Sequence, residues 1–173
     1  MEFPDGLLNL YLTDIGEPSE NQLRIVVAEG LLGEPTQIAI DGIDLGEGRP
    51  ILVTDESRSF ELRWDNYVAY AVRNESFWKA EGDELPRGKM LERRSNSAFF
   101  RYVSATTFAD DEYPGTLEHW SLTTLNHCVD VVSVWKRGGL VFGQGHIHKS
   151  LPHRRLFLCV ELLRRKSFQR QWG

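Results

Sequence analysis

Between Phe60 and Arg73 the chain alternates. Phe60, Leu62, Trp64, Val68, Tyr70 and Val72 take the even positions; Glu61, Arg63, Asp65, Tyr67, Ala69, Ala71 and Arg73 take the odd ones. Period-two alternation puts the two sets on opposite faces of an extended chain, so the pattern predicts one long strand with a buried face and a wetter one. Asn66 is the one polar residue on the apolar face. A buried polar group needs a partner, which makes Asn66 a position to follow.

Leu117 to Val134 is a second long β segment. A straight strand of that length would approach about 60 Å, too long for a small domain. The apolar phase shifts inside it: Trp120 and Leu122 are even, whereas Leu125, Val129 and Val131 are odd. A bulge or short turn near Thr123–Asn126 would carry both sets to one core. Together with 60–73, this segment is expected at the centre of the sheet.

Shorter strand signals precede these. Leu7–Leu12 and Leu23–Val27 alternate weakly on either side of the polar stretch Gly16–Asn21. Ile38, Ile40 and Ile43 follow, with Asp41-Gly42 between the last two, a tight-turn signal between strands. Ile51–Val53 is a short strand, and Asp55–Ser59 a turn into the long one. Turn residues at this spacing predict hairpins in series. Asn74–Lys89 is polar and reads as a loop. At Ser95–Thr107 the period changes: Ala98, Phe99, Tyr102, Val103 and Ala105 sit near helical spacing, with Ser95 or Ser97 as a cap. The acidic turn Asp110-Asp111-Glu112 and the pair Pro114-Gly115 close that region. The fold expected is α+β: a curved, mainly antiparallel β-sheet, as a meander or partly open barrel, with one main helix near 97–107.

Composition agrees with a globular domain. Hydrophobic residues are 41% and charged residues 26% of 173, with five Trp, five Tyr and nine Phe to fill a core. No apolar run approaches the 18 or so residues that cross a bilayer, so no membrane role is expected. Glu2 and Asp5 stand where an export signal has positive charge, and two cysteines, Cys128 and Cys159, do not make a disulfide framework. The expected location is cytoplasmic.

Charge changes the picture more. From Lys136 to Gly173 nine Lys or Arg residues accompany a single acid, Glu161, whereas the first 135 residues hold 11 bases and 24 acids. We therefore expect an acidic β-rich domain over 1–135 and a basic C-terminal extension over 136–173, packed on that domain. The other readings of the extension are contact with a polyanion such as nucleic acid, through its cations and Phe157, Phe168 and Trp172, and a loosely selected appendage.

The segments RWDNYVAYAVRNESF, SAFFRYV, TFADDEYPG and LEHWSLTTLNHCVDVVSV resemble those of a family of small uncharacterised bacterial proteins. The likeness covers roughly residues 60–134. It implies a bacterial cytoplasmic domain, and it carries no activity, cofactor or catalytic residue with it.

Candidate chemistry is sparse. His119 and His127 are eight residues apart, about 26 Å along a straight strand, and only a sharp bend would unite them. His119 is expected to find a backbone or carboxylate partner. His146 and His148 would face the same way about 6.6 Å apart on a strand, which suits a metal, with His153 or Cys159 to complete it. Cys128 adjoins His127, but neighbours on a strand point to opposite faces, so they make no catalytic pair. The glycine-rich GGLVFGQGHIHKS lacks the Gly-Lys-Ser/Thr adjacency of a phosphate loop. Asp65 and Asp130 are expected near the sheet centre, either as an acid–base pair or held by Arg63, Arg73 or a backbone donor.

No catalytic residue and no cofactor is assigned. Two functions from different classes follow. The first is a non-catalytic protein-binding module, an inhibitor or immunity-type protein for a basic partner, suggested by the acidic body and the missing catalytic motifs. The second is a small enzyme or ligand binder with a site on the concave sheet face at Asn66, His127 and Asp130.

Overall fold

The computed structural model describes residues 7, 9–79, 90–95, 97–135 and 140–144. Its strands are β1 (Leu10–Ser19), β2 (Gln22–Glu29), β3 (Leu31–Leu32), β4 (Thr36–Ile40), β5 (Ile43–Gly48), β6 (Ile51–Leu52), β7 (Ser59–Trp64), β8 (Tyr67–Asn74), β9 (Leu91–Arg94), β10 (Leu117–Thr123), β11 (His127–Val134) and β12 (Leu140–Gln144). The helix α1 spans Ala98–Thr106. Two four-stranded antiparallel sheets form, in the orders β1-β2-β7-β12 and β8-β11-β10-β9. Two small antiparallel pairs, β3-β6 and β4-β5, stand beside them. The architecture is α+β and antiparallel, and no described sheet closes into a barrel.

The two large sheets share one core. Leu23, Ile25 and Val27 of β2 and Leu62 and Trp64 of β7 meet Leu122 of β10 and Val129 and Val131 of β11. Trp64 is the largest fully buried side chain. β10 and β11 form a hairpin, with Trp120 opposite Val131 and Leu122 opposite Val129. The phase shift inside 117–134 is thus a short turn rather than a bulge, and it brings both apolar sets to the same face as expected.

The expected single strand over 60–73 divides. The chain turns at Asp65-Asn66, leaving β7 as an inner strand of the first sheet and β8 as an edge strand of the second. β7 turns Leu62 and Trp64 to the space between the sheets, whereas in β8 the odd residue Tyr67 packs on the core and the even Tyr70 and Val72, beside Val131 and Val129, are more than a third exposed. Periodicity reports facing, and it does not report which neighbour a strand pairs with.

Polar groups tie the sheets at one end. The Asn126 side-chain amide donates to the Leu12 carbonyl (3.0 Å) and its oxygen accepts from the Leu12 N–H (2.9 Å). The Leu125 N–H reaches the Leu10 carbonyl at 2.7 Å. An asparagine side chain here pairs like a strand residue, so the β10–β11 turn is fixed to β1.

The extension expected from residue 136 is in part an element of the fold. β12 pairs with β7 from Leu140 opposite Trp64 to Gln144 opposite Phe60, and it completes the first sheet. Residues 145–173 lie outside the described residues.

The helix lies across the outer face of the second sheet, with Val103 buried and Phe99 half-buried. Its C-terminal half is rich in Ser and Thr, poor helix formers because their hydroxyls compete for the backbone. Here they are used within the helix: Ser104, Thr106 and Thr107 donate to the carbonyls of Phe100, Tyr102 and Val103. Trp64→Ala is expected to cost about 3–5 kcal/mol, because a large cavity opens where both sheets meet. Urea unfolding followed by circular dichroism measures it, and a loss under 1 kcal/mol would place the shared core elsewhere.

Candidate functional site

Strand parity sends the odd residues Val129 and Val131 of β11 into the core, and the even residues Cys128, Asp130 and Val132 to the opposite face, under α1. His119 and Ser121 of β10 lie on that same outer face, opposite Val132 and Asp130. Ala69, Ala71 and Arg73 of β8 flank them on the other side. The small alanines leave Arg73 room to lean over β11.

A continuous polar chain results. Arg73 Nη2 pairs with Asp130 Oδ2. Asp130 Oδ1 lies 3.0 Å from His119 Nε2, and His119 Nδ1 lies 2.7 Å from Ser97 Oγ. Ser97 Oγ also accepts the Phe100 N–H at 3.0 Å, as the N-cap of α1. A carboxylate accepts, so the imidazole donates from Nε2 to Asp130, while Nδ1 shares the second hydrogen bond with the Ser97 hydroxyl. Burial alone would push the Asp130 carboxyl up; the His119 hydrogen bond, the Arg73 charge and Ser121 outweigh it and hold the group below the usual carboxylate range.

Serine, histidine and aspartate in one chain of hydrogen bonds are the elements of a nucleophilic triad. A nucleophile must also reach its substrate. Ser97 is 3% exposed, His119 1% and Asp130 2%, and the serine oxygen is already occupied as a helix cap. A groove of 490 Å³ opens nearby, lined by Arg93, Ser95, Phe100, Glu118 and Trp135 among others, and Ser97 does not line it. The Arg93 guanidinium there is paired with Glu118. The polar chain therefore fastens helix to sheet, and its donors and acceptors are used in doing so.

The residues expected on a concave sheet face do not converge. Asp130 points under α1. His127 lies on the odd face of β11, at the end beside Asn74, and its Nδ1 has no hydrogen-bond partner among the described residues. Asn66 is at the β7–β8 corner, where its carbonyl accepts the Val134 N–H (3.0 Å) at the opposite end of β11. Asp65 is exposed and takes a hydrogen bond from Gln22; it does not approach Asp130. Of the alternatives weighed for Asp130, pairing with Arg73 is realised. His119 finds the carboxylate partner expected of it. His119 and His127 remain apart, on opposite faces. The candidate metal ligands His146 and His148 lie outside the described residues. Among the described residues no group of three or more His, Cys, Asp or Glu side chains is placed to hold a metal ion.

A different surface stands out, one that sequence reasoning passed over. β4 and β5 form an arm that packs chiefly on itself. Asp41 and Gly42, both with positive φ (50° and 79°), make its tip, as the Asp-Gly signal predicted. Ile43 is 65% exposed and Leu45 40% exposed, among the exposed acids Glu34, Asp41, Asp44 and Glu47. The Gly46 N–H and the Gln37 amide hold Asp44 below the usual carboxylate range, so it stays charged. Three apolar residues around Asp-Gly read as strands of the core; the four acids and three glycines spread over 34–48 were the signal that this hairpin faces water.

No protein-family model, curated protein or solved structure matches the chain.

Asp130→Asn is expected to destabilise the protein by about 2 kcal/mol at pH 7, since it leaves Arg73 and His119 without their acceptor. The sign with pH follows from the lowered carboxyl. Its contribution is complete above the unfolded value of about 3.9 and is lost as the pH falls through the lower folded value. The difference between wild type and Asp130→Asn in urea midpoint should be full at pH 7 and shrink below about pH 4. A difference that stays flat down to about pH 2 contradicts this origin. Ser97→Ala, losing cap and imidazole partner together, is expected to cost about 1–2 kcal/mol in the same assay.

Proposed function

We propose that this protein is a non-catalytic binding domain for a basic protein, of the inhibitor or immunity type, and that the β4–β5 arm carries recognition. The observation that carries the reading is the arm itself: apolar side chains held out in water, ringed by carboxylates, on a hairpin that adds little to the core. Exposed apolar groups with a charged rim are the make-up of a protein-binding patch.

The treatment of charge elsewhere supports the same reading. Arg24 is held between Asp14 and Glu61, Arg58 is paired with Glu29, Arg73 with Asp130 and Arg93 with Glu118. These cations are neutralised within the body. Many acids, by contrast, face outward, including Asp55, Glu56, Asp110, Asp111 and Glu112. The resulting negative field would steer a cationic partner and hasten its association. The covered Ser97 hydroxyl weighs against the enzyme alternative.

The test is capture from a lysate of the source cell on immobilised protein. Wild type should retain a basic protein and release it as NaCl rises from about 0.05 to about 0.5 M, where screening shortens to a few ångströms. Ile43→Ser/Leu45→Ser and Glu34→Lys/Glu47→Lys should keep their stability within about 0.5 kcal/mol, being surface changes, yet lose at least about tenfold in retention, equivalent to 1.4 kcal/mol. Equal retention by both variants would remove the arm from the interface, and no basic protein above background would remove the function.

A further inference from the structure

We infer that the basic C-terminal segment Arg154–Lys166 of this same chain docks on the β4–β5 arm. Three observations lead there. The first is where the described chain leaves the body. β12 runs antiparallel to β7 and ends with Gln144 opposite Phe60, while Phe60 also pairs with Val27 of β2. β2 ends at Glu29, and the arm rises from there through Leu31–Leu32 paired with Ile51–Leu52. The chain beyond Gln144 therefore starts at the root of the arm.

The second is reach. From Gly145 to Leu156 an extended chain spans up to about 36 Å. The arm, two residues of β3 and five of β4 with a short link, is about 25–30 Å long. The segment can lie anywhere along it.

The third is complementarity. In the sequence, the apolar run Leu156–Leu163 is flanked by Arg154-Arg155 and Arg164-Arg165-Lys166, with Glu161 its single acid. The arm offers the opposite: exposed Ile43 and Leu45 among Glu34, Asp41, Asp44 and Glu47. It also offers need. An isolated two-stranded hairpin is marginal in water, and both outer edges of β4 and β5 lack a strand partner among the described residues. A segment laid along the arm covers apolar surface and matches charge in one step. Docked there, the tail competes with the outside partner proposed above. That consequence rests on the proposed function; the docking does not.

The native Cys159 sits inside the docking segment and supplies the test, while Cys128 is buried and stays out of reach. Full-length Leu45→Cys is compared with full-length Ala105→Cys, an exposed position on α1. Both are treated with diamide, and disulfides are mapped by mass spectrometry of the monomer band. Docking predicts an intramolecular 45–159 disulfide forming at least about tenfold faster than the 105–159 disulfide, because the rate follows effective concentration. Adding Arg164→Glu and Arg165→Glu should bring the fast rate down to that of the control. A ratio below about tenfold, or a 45–159 disulfide found only between two chains, overturns the inference; the second result would mean that another copy covers the arm. Partner capture that persists with the 45–159 disulfide in place would count against the arm as the recognition surface, and so against the proposed function alone.

Discussion

A carboxylate stands in the middle of an inner strand, almost out of reach of water. Removing that charge from solvent is costly unless it is paired and hydrogen-bonded. Asp130 meets the demand by recruiting the polar side chains around it on its face of the second sheet. Arg73 arrives from β8, Ser121 and His119 from β10, and through His119 the chain of bonds reaches Ser97. Ser97 is the residue that starts α1. One buried charge thus fixes two strand neighbours and sets the helix on the sheet. A fully satisfied buried network of this kind specifies one arrangement, because any other leaves an expensive group unpaired.

The same network shows how triad chemistry and structural polarity part company. The residue types and contacts of a nucleophilic site are present, down to the imidazole between a hydroxyl and a carboxylate. Accessibility and vacancy decide the outcome. A reacting hydroxyl must be open to a substrate, and this one is covered and spends a lone pair on the Phe100 N–H. A network that holds a helix uses up its donors and acceptors, whereas a site that acts on a ligand keeps some free.

Charge is arranged by a second logic. Arginines on the two sheets are neutralised by neighbouring carboxylates, so they add little positive potential at the surface. The acids of the arm and of the turns at Asp55-Glu56 and 110–112 face outward, and the body as a whole presents a negative field. The densest basic run of the sequence, 154–166, follows β12, whose end lies at the root of the acidic arm. Attraction within one chain operates at high effective concentration, so even weak complementarity favours association there.

The sequence by itself determined what local physics controls. Period-two runs named the strands that face the core, the change to helical period placed α1 to within a residue, Ser97 was among its named caps, and Asp41-Gly42 marked the arm's tip. The even–odd shift in 117–134 required a break, and the hairpin turn supplies it. Pairing was beyond the sequence. Nothing in FELRWDNYVAYAVR says that its halves belong to different sheets, because alternation encodes which face is buried and not which strand lies alongside. For the same reason Asn66, His127 and Asp130 looked like neighbours and are not, while Ser97, His119, Asp130 and Arg73, spread over 58 positions of sequence, form one chain of contacts. Only the tertiary structure decided that Ile43 and Leu45 stand out in water, since an apolar residue in a hairpin reads the same whether or not a core waits beside it.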